Sequence, residues 1–264
     1  LKLTINFKQI LTSAILLAAT GYVAARSEMR PSHYVADGNS AITVNGQAKF
    51  NRALYGAHSG FRIDCSDTPE FGIYLPRMGG NLCLTLPEGK CTARYTPGRM
   101  DYEQGGVKVE AQVMRSEDMA LWAITNTTNK TASIPVRFGG VADKKFYREG
   151  DLGVDDPTCF DLKPEYCTGN VYTVKGDKIN IEYGKKQRST LTLVIPAKSY
   201  KITDLPSYEG TLSIKPGKKV YLALFPASDA PKASLESLFK KRKTNVNNWP
   251  QASHSRLPTN GSIR

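Results

Sequence analysis

Residues 107–113, VKVEAQV, alternate without interruption: Val107, Val109, Ala111 and Val113 fall on one side, and Lys108, Glu110 and Gln112 on the other. A period of two over this length marks an antiparallel strand with one face in a core. The same rhythm recurs along the chain. LWAIT (121–125) and SIPVRF (133–138) flank the polar turn NTTNKTA. NVYTV (170–174), KINIEY (178–183), STLTLVI (189–195), TLSI (211–214) and KVYLALF (219–225) follow, separated by turn clusters such as KGD and KPGKK. Short strands with no helical period between them predict an all-β fold, a large antiparallel β-sandwich over residues 26–231. Val220–Phe225 is apolar on both faces and reads as a central strand. A domain of about 200 residues has room for a substantial core.

One helix breaks the pattern. Within residues 232–243, ASLESLFKKRK places Leu235, Leu238 and Phe239 on one stripe, offers Ser234 as N-cap and closes on cations that suit a helix C-terminus. Its apolar face is expected to lack a partner within this chain. Residues 244–264 lose all period and contain two prolines, the composition of a disordered tail.

The N-terminus carries an address. Lys2 and Lys8 precede the apolar run 10–19, and GYVAA puts Val23 and Ala25 at the −3 and −1 positions of a signal-peptidase site. The run is shorter than the roughly 20 apolar residues of a membrane span. Residues 1–25 are therefore expected to be a signal peptide, with a buried N-terminal helix as the alternative. The mature protein would start near Arg26 and leave the cytoplasm, with no membrane span.

Net charge is +12, which would suit nucleic acid if it were clustered on the folded domain. Lys2 and Lys8 leave with the signal, and residues 232–264 hold a net +6, so the sandwich keeps only +4. No nucleic-acid partner is expected.

Side-chain chemistry narrows the classes further. The histidines are His33, His58 and His254, so a catalytic triad has little to draw on beyond His58. No G-x-S-x-G, P-loop or dinucleotide fingerprint occurs, and the Gly-Gly pairs suit turns and bulges. Cys65, Cys83, Cys91, Cys159 and Cys167 lack C-x-x-C spacing, which argues against structural zinc. Cys83 with Cys91, and Cys159 with Cys167, lie close enough in sequence to form disulfides; the alternative is buried or scattered thiols. Neither metal nor cofactor is predicted. Glu70, Asp101, Glu103, Asp161 and Glu165 could in principle supply a glycosidase pair, but no spacing selects two of them, and each also reads as a turn or solvated carboxylate.

Four separated stretches carry a resemblance: FNRALYGAHSGFR (50–62), PEFGIYLPRMGGNLCL (69–84), ARYTPGRMDYE (93–103) and DLKPEYCTGN (161–170). In this order they resemble an uncharacterised family of secreted bacterial glycosidase-like proteins, over roughly residues 40–240. The resemblance implies a β-sandwich of the supersandwich type followed by an α/α six-hairpin toroid, in a protein that is periplasmic or secreted to the cell surface of a polysaccharide-degrading Gram-negative bacterium. It includes Cys167 in the family pattern and leaves Cys159 as an extra thiol, so residues 157–170 read as an ordered loop turned by Pro164 and entering NVYTV. It also implies that sandwich loops reach a toroid's active-site mouth. Arg52, Tyr55, His58, Arg99, Tyr102, Asp161, Glu165 and Asn170 are the expected substrate-binding residues, by stacking and hydrogen bonding to sugar. Tyr55 and Tyr102 also read as caps of the core, and Arg99 as the partner of a neighbouring carboxylate. No catalytic residue is expected in this chain.

Two functions follow. The first is an accessory N-terminal sandwich of a secreted glycoside hydrolase-like protein acting on polysaccharide, with the catalytic toroid absent from this chain. The second is a stand-alone carbohydrate-binding or structural module without catalysis. Family members continue past the linker helix into a Thr-Pro-Asp motif, and the tail here departs from that pattern, so a frame shift after Lys243 is expected.

Overall fold

Alternating side chains let each strand bury one face, and two sheets stacked face to face bury both sets at once. The computed structural model describes residues 35–37, 40–56, 61–75, 78–142, 160–183, 189–205 and 207–247. The strands are β1 (Val35–Asp37), β2 (Ser40–Val44), β3 (Arg52–Tyr55), β4 (Arg62–Cys65), β5 (Glu70–Leu75), β6 (Met78–Leu84), β7 (Thr92–Thr96), β8 (Arg99–Gln104) and β9 (Val107–Val113). They continue as β10 (Ala120–Asn126), β11 (Ala132–Ala142), β12 (Val171–Lys175), β13 (Lys178–Tyr183), β14 (Ser189–Val194), β15 (Ser199–Ile202), β16 (Ser207–Ile214) and β17 (Lys219–Pro226). A ten-stranded sheet runs β1-β2-β7-β8-β9-β10-β17-β14-β13-β12, and a seven-stranded sheet runs β15-β16-β11-β6-β5-β4-β3. The all-β sandwich read from the alternation is the architecture observed.

The core lies between the sheets. Val107, Val109, Ala111 and Val113 are buried in it, as their period requires. Phe71 of the smaller sheet meets Tyr102 and Trp122 of the larger, edge to face, at centroid distances of 5.7 and 5.5 Å. Such aromatic pairs add to their area burial. The Tyr102 hydroxyl also donates to the Ser66 carbonyl at 2.7 Å, a polar tie across the layers. β17 sits between β10 and β14, the central position its two apolar faces predicted.

The turn NTTNKTA does more than reverse the chain. β10 belongs to the larger sheet and β11 to the smaller, so the turn carries the chain from one layer to the other. Asn126 governs that passage. Its side chain is fully buried, and its Nδ2 donates to the carbonyls of Lys130 (2.7 Å) and Ile214 (2.8 Å). Its Oδ1 accepts from the Thr128 backbone N–H (2.9 Å) and hydroxyl (2.8 Å).

Two expectations need correction. The outward side of β9 is not solvated: Glu110 and Gln112 are 2% and 0% exposed. The helix expected over 232–243 is α2, Leu235–Asn247, since the short helix α1 (Pro164–Cys167) precedes it. The Ser234 hydroxyl caps it, accepting from the Ser237 N–H at 3.2 Å. It runs past Lys243, so Lys240 and Lys241 lie within it and do not close it. Its apolar face has a partner after all. Phe239 is 2% exposed, packed with Met114, Met119, Leu121, Ala123, Ala223 and Phe225 on the outer side of β9, β10 and β17. Arg242 extends the stripe, its Nε donating to the Val113 carbonyl at 2.8 Å. The expected signal peptide and the tail beyond Asn247 lie outside the described residues.

The cysteine pairing of 83 with 91 is also corrected. Cys65, Cys83, Cys91 and Cys167 are free thiols, and Cys159 lies outside the described residues. Burial pushes the thiols of Cys91 and Cys167 up to about 11, with Asp67 and Glu165 adding to it respectively. At pH 8 their thiolate fraction is then on the order of one in a thousand, against a sizeable fraction in an unfolded chain. Cys91 and Cys167 should therefore resist a thiol reagent at pH 8 until denaturant unfolds the protein, as absorbance of the released chromophore would report. Asn126→Ala should cost about 1–3 kcal/mol, because the buried Ile214 carbonyl loses its donor and the turn loses its side-chain anchor. Urea unfolding monitored by tryptophan fluorescence measures that, and a loss near zero would show the clamp to be dispensable.

Candidate functional site

The two outer faces of the sandwich differ. α2 covers part of the larger sheet; on the smaller sheet the stretch from Phe160 to Asn170 lies across β5, β6 and β11. Glycine makes room for it. A Cβ on Gly72 would overlap the Phe160 ring, and one on Gly139 would overlap Leu162. Phe160 also meets Phe50 edge to face at 4.9 Å, and its carbonyl accepts from Asn81 Nδ2 at 3.3 Å. Pro164 opens α1 at its first position, where a missing N–H costs nothing. Asn170 anchors the far end, donating from Nδ2 to the Gly140 carbonyl at 3.0 Å. Of the loop expected over 157–170, residues 157–159 lie outside the described residues, and Pro164 starts the short helix α1 where a turn was expected; the segment enters β12 as NVYTV predicted.

Beside this segment an open groove of about 600 Å³ crosses β6, β11, β16 and β15. Strand register decides which side chains line it. Cys83 pairs with Arg137, Arg137 with Glu209, and Glu209 with Lys201, forming one cross-strand row. Pro135, Thr211 and Ser199 form the next, and Thr85 bonds through its N–H to the Pro135 carbonyl at 2.9 Å. Val136, Tyr200 and Gly210 also border the groove. In strand register these residues alternate with the two rows, on the core-facing side of the pleat. Tyr200 accordingly stacks on the core residue Tyr208, with centroids 5.7 Å and planes 18° apart. The floor thus offers three hydroxyls, a guanidinium, an ammonium and one carboxylate.

Electrostatics around the groove are partly settled within it. Lys201 Nζ lies 3.0 Å from Glu209 Oε2. Lys49 lies 3.1 Å from Glu70, which also accepts from Asn81 Nδ2 at 3.0 Å. Burial raises the Cys83 thiol above its ordinary range, and Glu70 adds to this against the opposing pull of Arg137 and Lys49. That thiol is not an activated nucleophile.

The expected binding residues do not converge. Asp161, Glu165 and Asn170 share the segment over the smaller sheet: the first two are exposed, while Asn170 is 8% exposed and serves the backbone. Tyr55 is 64% exposed at the β3 edge of that sheet, far along the strand order from the groove. Arg52 lies over the Tyr95 ring at 5.8 Å, on the core side of the same strand. His58 lies outside the described residues. Arg99 belongs to the other sheet and holds Asp101 at 2.8 Å. Burial raises the Asp101 carboxyl, Arg99 counters that, and Glu110 across the strand reinforces it. Tyr102 is the clear correction: it is 0% exposed and cannot touch a ligand at the surface. Arg137, Lys201 and Glu209 were missed. Their outward positions in alternating strands are readable, but the register that lines them up is not.

Among the described residues no group of three or more His, Cys, Asp or Glu is arranged to hold a metal ion, and no helix is long and apolar enough to cross a membrane.

Fold and groove together define an antiparallel β-sandwich with a ligand-sized groove, lined by polar and apolar groups, on one outer face. The profile of a family described as Domain of unknown function (DUF4450) matches residues 75–230, more than half the chain, and the chain belongs to that family. Among solved structures it is similar to a candidate kojibiose phosphorylase from human microbiome, at 9% identity and a TM-score of 0.41, over 82% of this chain and 36% of that one. The chain spans about a third of that protein's length, and so distant a likeness transfers neither substrate nor activity. Comparison with curated proteins finds no match.

The glycine seats make a testable claim. Gly72→Val should push Phe160 off the sheet, cost about 1–3 kcal/mol and expose residues 160–170 to protease. Limited proteolysis with mass mapping reads this out; cleavage unchanged from wild type would mean that the segment does not depend on the seat.

Proposed function

We propose that this chain is the accessory β-sandwich of a glycoside hydrolase-like protein, binding saccharide and leaving catalysis to a toroid outside it. The observation that carries the reading is the groove's content. Glycoside hydrolysis uses two carboxylates flanking the scissile bond. Among the described residues the groove holds one, Glu209, and Lys201 occupies it. Of the other carboxylates weighed, Asp101 is tied to Arg99 and Glu103 to Lys108 on the larger sheet, and Glu70 to Lys49 on the smaller, while Asp161 and Glu165 lie exposed on the segment beside the groove and outside its lining. Hydroxyls and charged groups around an open trough suit recognition. The four-motif resemblance supports the glycosidase context, and the basic-apolar-small pattern of residues 1–25 supports export to the periplasm or surface of a Gram-negative cell. A stand-alone binding module shares the groove and differs only in what accompanies the sandwich.

Incubated with aryl glycosides and with soluble polysaccharides, the purified full chain should release no sugar, while binding saccharide weakly, at millimolar Kd or about −4 kcal/mol. Reducing-end assays and calorimetry measure the two. Turnover that disappears in Glu165→Gln or Asp101→Asn would replace the accessory reading with an enzymatic one.

A further inference from the structure

We infer that the groove on the smaller sheet is a binding site for a carboxylate-bearing saccharide, such as a uronate unit, with Arg137 as the group that reads the acid. This rests on the saccharide reading above and adds to it the place and the chemistry. The argument starts from charge. Of the groove's three charged side chains, Lys201 and Glu209 satisfy each other at 3.0 Å. Arg137 is exposed between Cys83 and Glu209 in the same row, and makes no ion pair or hydrogen bond among the described residues. The groove therefore keeps one uncommitted positive charge. A planar guanidinium matches a carboxylate with two parallel hydrogen bonds, stronger and more directional than those to a neutral hydroxyl.

Shape and lining extend the assignment from an anion to a sugar acid. A volume of about 600 Å³ lies within the range of small-ligand pockets and greatly exceeds what a bare carboxylate or sulfate needs. Thr85, Ser199 and Thr211 set hydroxyls beside the charge, each able to donate and accept as a polyol requires. Tyr200, which also borders the groove, stacks on Tyr208. The unpaired guanidinium among these hydroxyls favours an acidic sugar over a neutral one.

The test is calorimetric titration of the full chain with a tetragalacturonate and with a neutral tetrasaccharide of equal length, at low and at raised salt. The acidic ligand should bind at least about tenfold more tightly, and Arg137→Ala should remove about that factor. Arg137→Lys should recover part of it, and binding should weaken with salt. Circular dichroism confirms that each variant is folded. Acidic binding unchanged in Arg137→Ala overturns the site, as does a sulfate ion binding as tightly as the tetragalacturonate. Neutral binding insensitive to Arg137→Ala, without acidic preference, overturns this inference and leaves the saccharide function standing. No saccharide binding of either kind removes both.

Discussion

One buried amide holds the layers in relation to each other. Asn126 stands where the chain leaves the larger sheet for the smaller, and all its hydrogen-bonding capacity is used on backbone and on Thr128. Its own N–H and C=O meet Lys218 and Gly217 at the start of β17, while its side chain reaches the end of β16. Three separate parts of the chain are thus tied at one residue. Each bond contributes modestly, but leaving those groups unpaired in the interior would cost far more. The strands that form the groove, β11 and β16, are the ones this clamp aligns. The register that puts Arg137 beside Glu209 therefore depends on a contact at the opposite end of both strands.

The outer faces express two solutions to one problem. A sheet this wide leaves apolar or small side chains on its outer surface, and something must cover them. On the larger sheet the cover is a helix, whose Phe239 is inserted among methionines and small side chains of β9, β10 and β17. On the smaller sheet it is an extended segment, set down over glycines that bring it close to the backbone. The second cover is narrow. It stops short of the row from Cys83 to Lys201, and the groove is the part of the face it leaves open.

Much of this was readable in the chain, and the limits have physical causes. Alternation located most strands, and two apolar faces identified β17 as central, because burial on one or both sides writes itself directly into the order of residues. Which strand joins which sheet is not written there: period two is the same in either layer. Two errors, by contrast, contradicted signals already present. Arg99 and Tyr102 are three residues apart on one strand, as are Arg52 and Tyr55, and an odd spacing sends side chains to opposite faces. Neither pair could address one sugar. Likewise Leu235, Leu238, Phe239 and Arg242 fall at i, i+3, i+4 and i+7 of a helix, so the arginine shares the buried stripe. Its charge suggested a C-terminus, and its position placed it in an interface. The groove itself needed Arg137 in register with Cys83 and with Glu209, each more than fifty residues away, which no local pattern contains.

The position of β17 has a consequence for how such a chain is made. It is the last strand in sequence among those described, yet it lies between β10 and β14 in the middle of the larger sheet. Until residues 219–226 leave the ribosome, β10 and β14 lack the neighbour that joins them, and each is left with an unpaired and largely apolar edge. Synthesis at about 5–20 residues per second leaves the edge of β10 waiting for several seconds. A bare edge of that kind is a template for pairing with another chain. A molecule built this way is protected only on completion, and its yield in a cell should depend on what shields β10 in the interval.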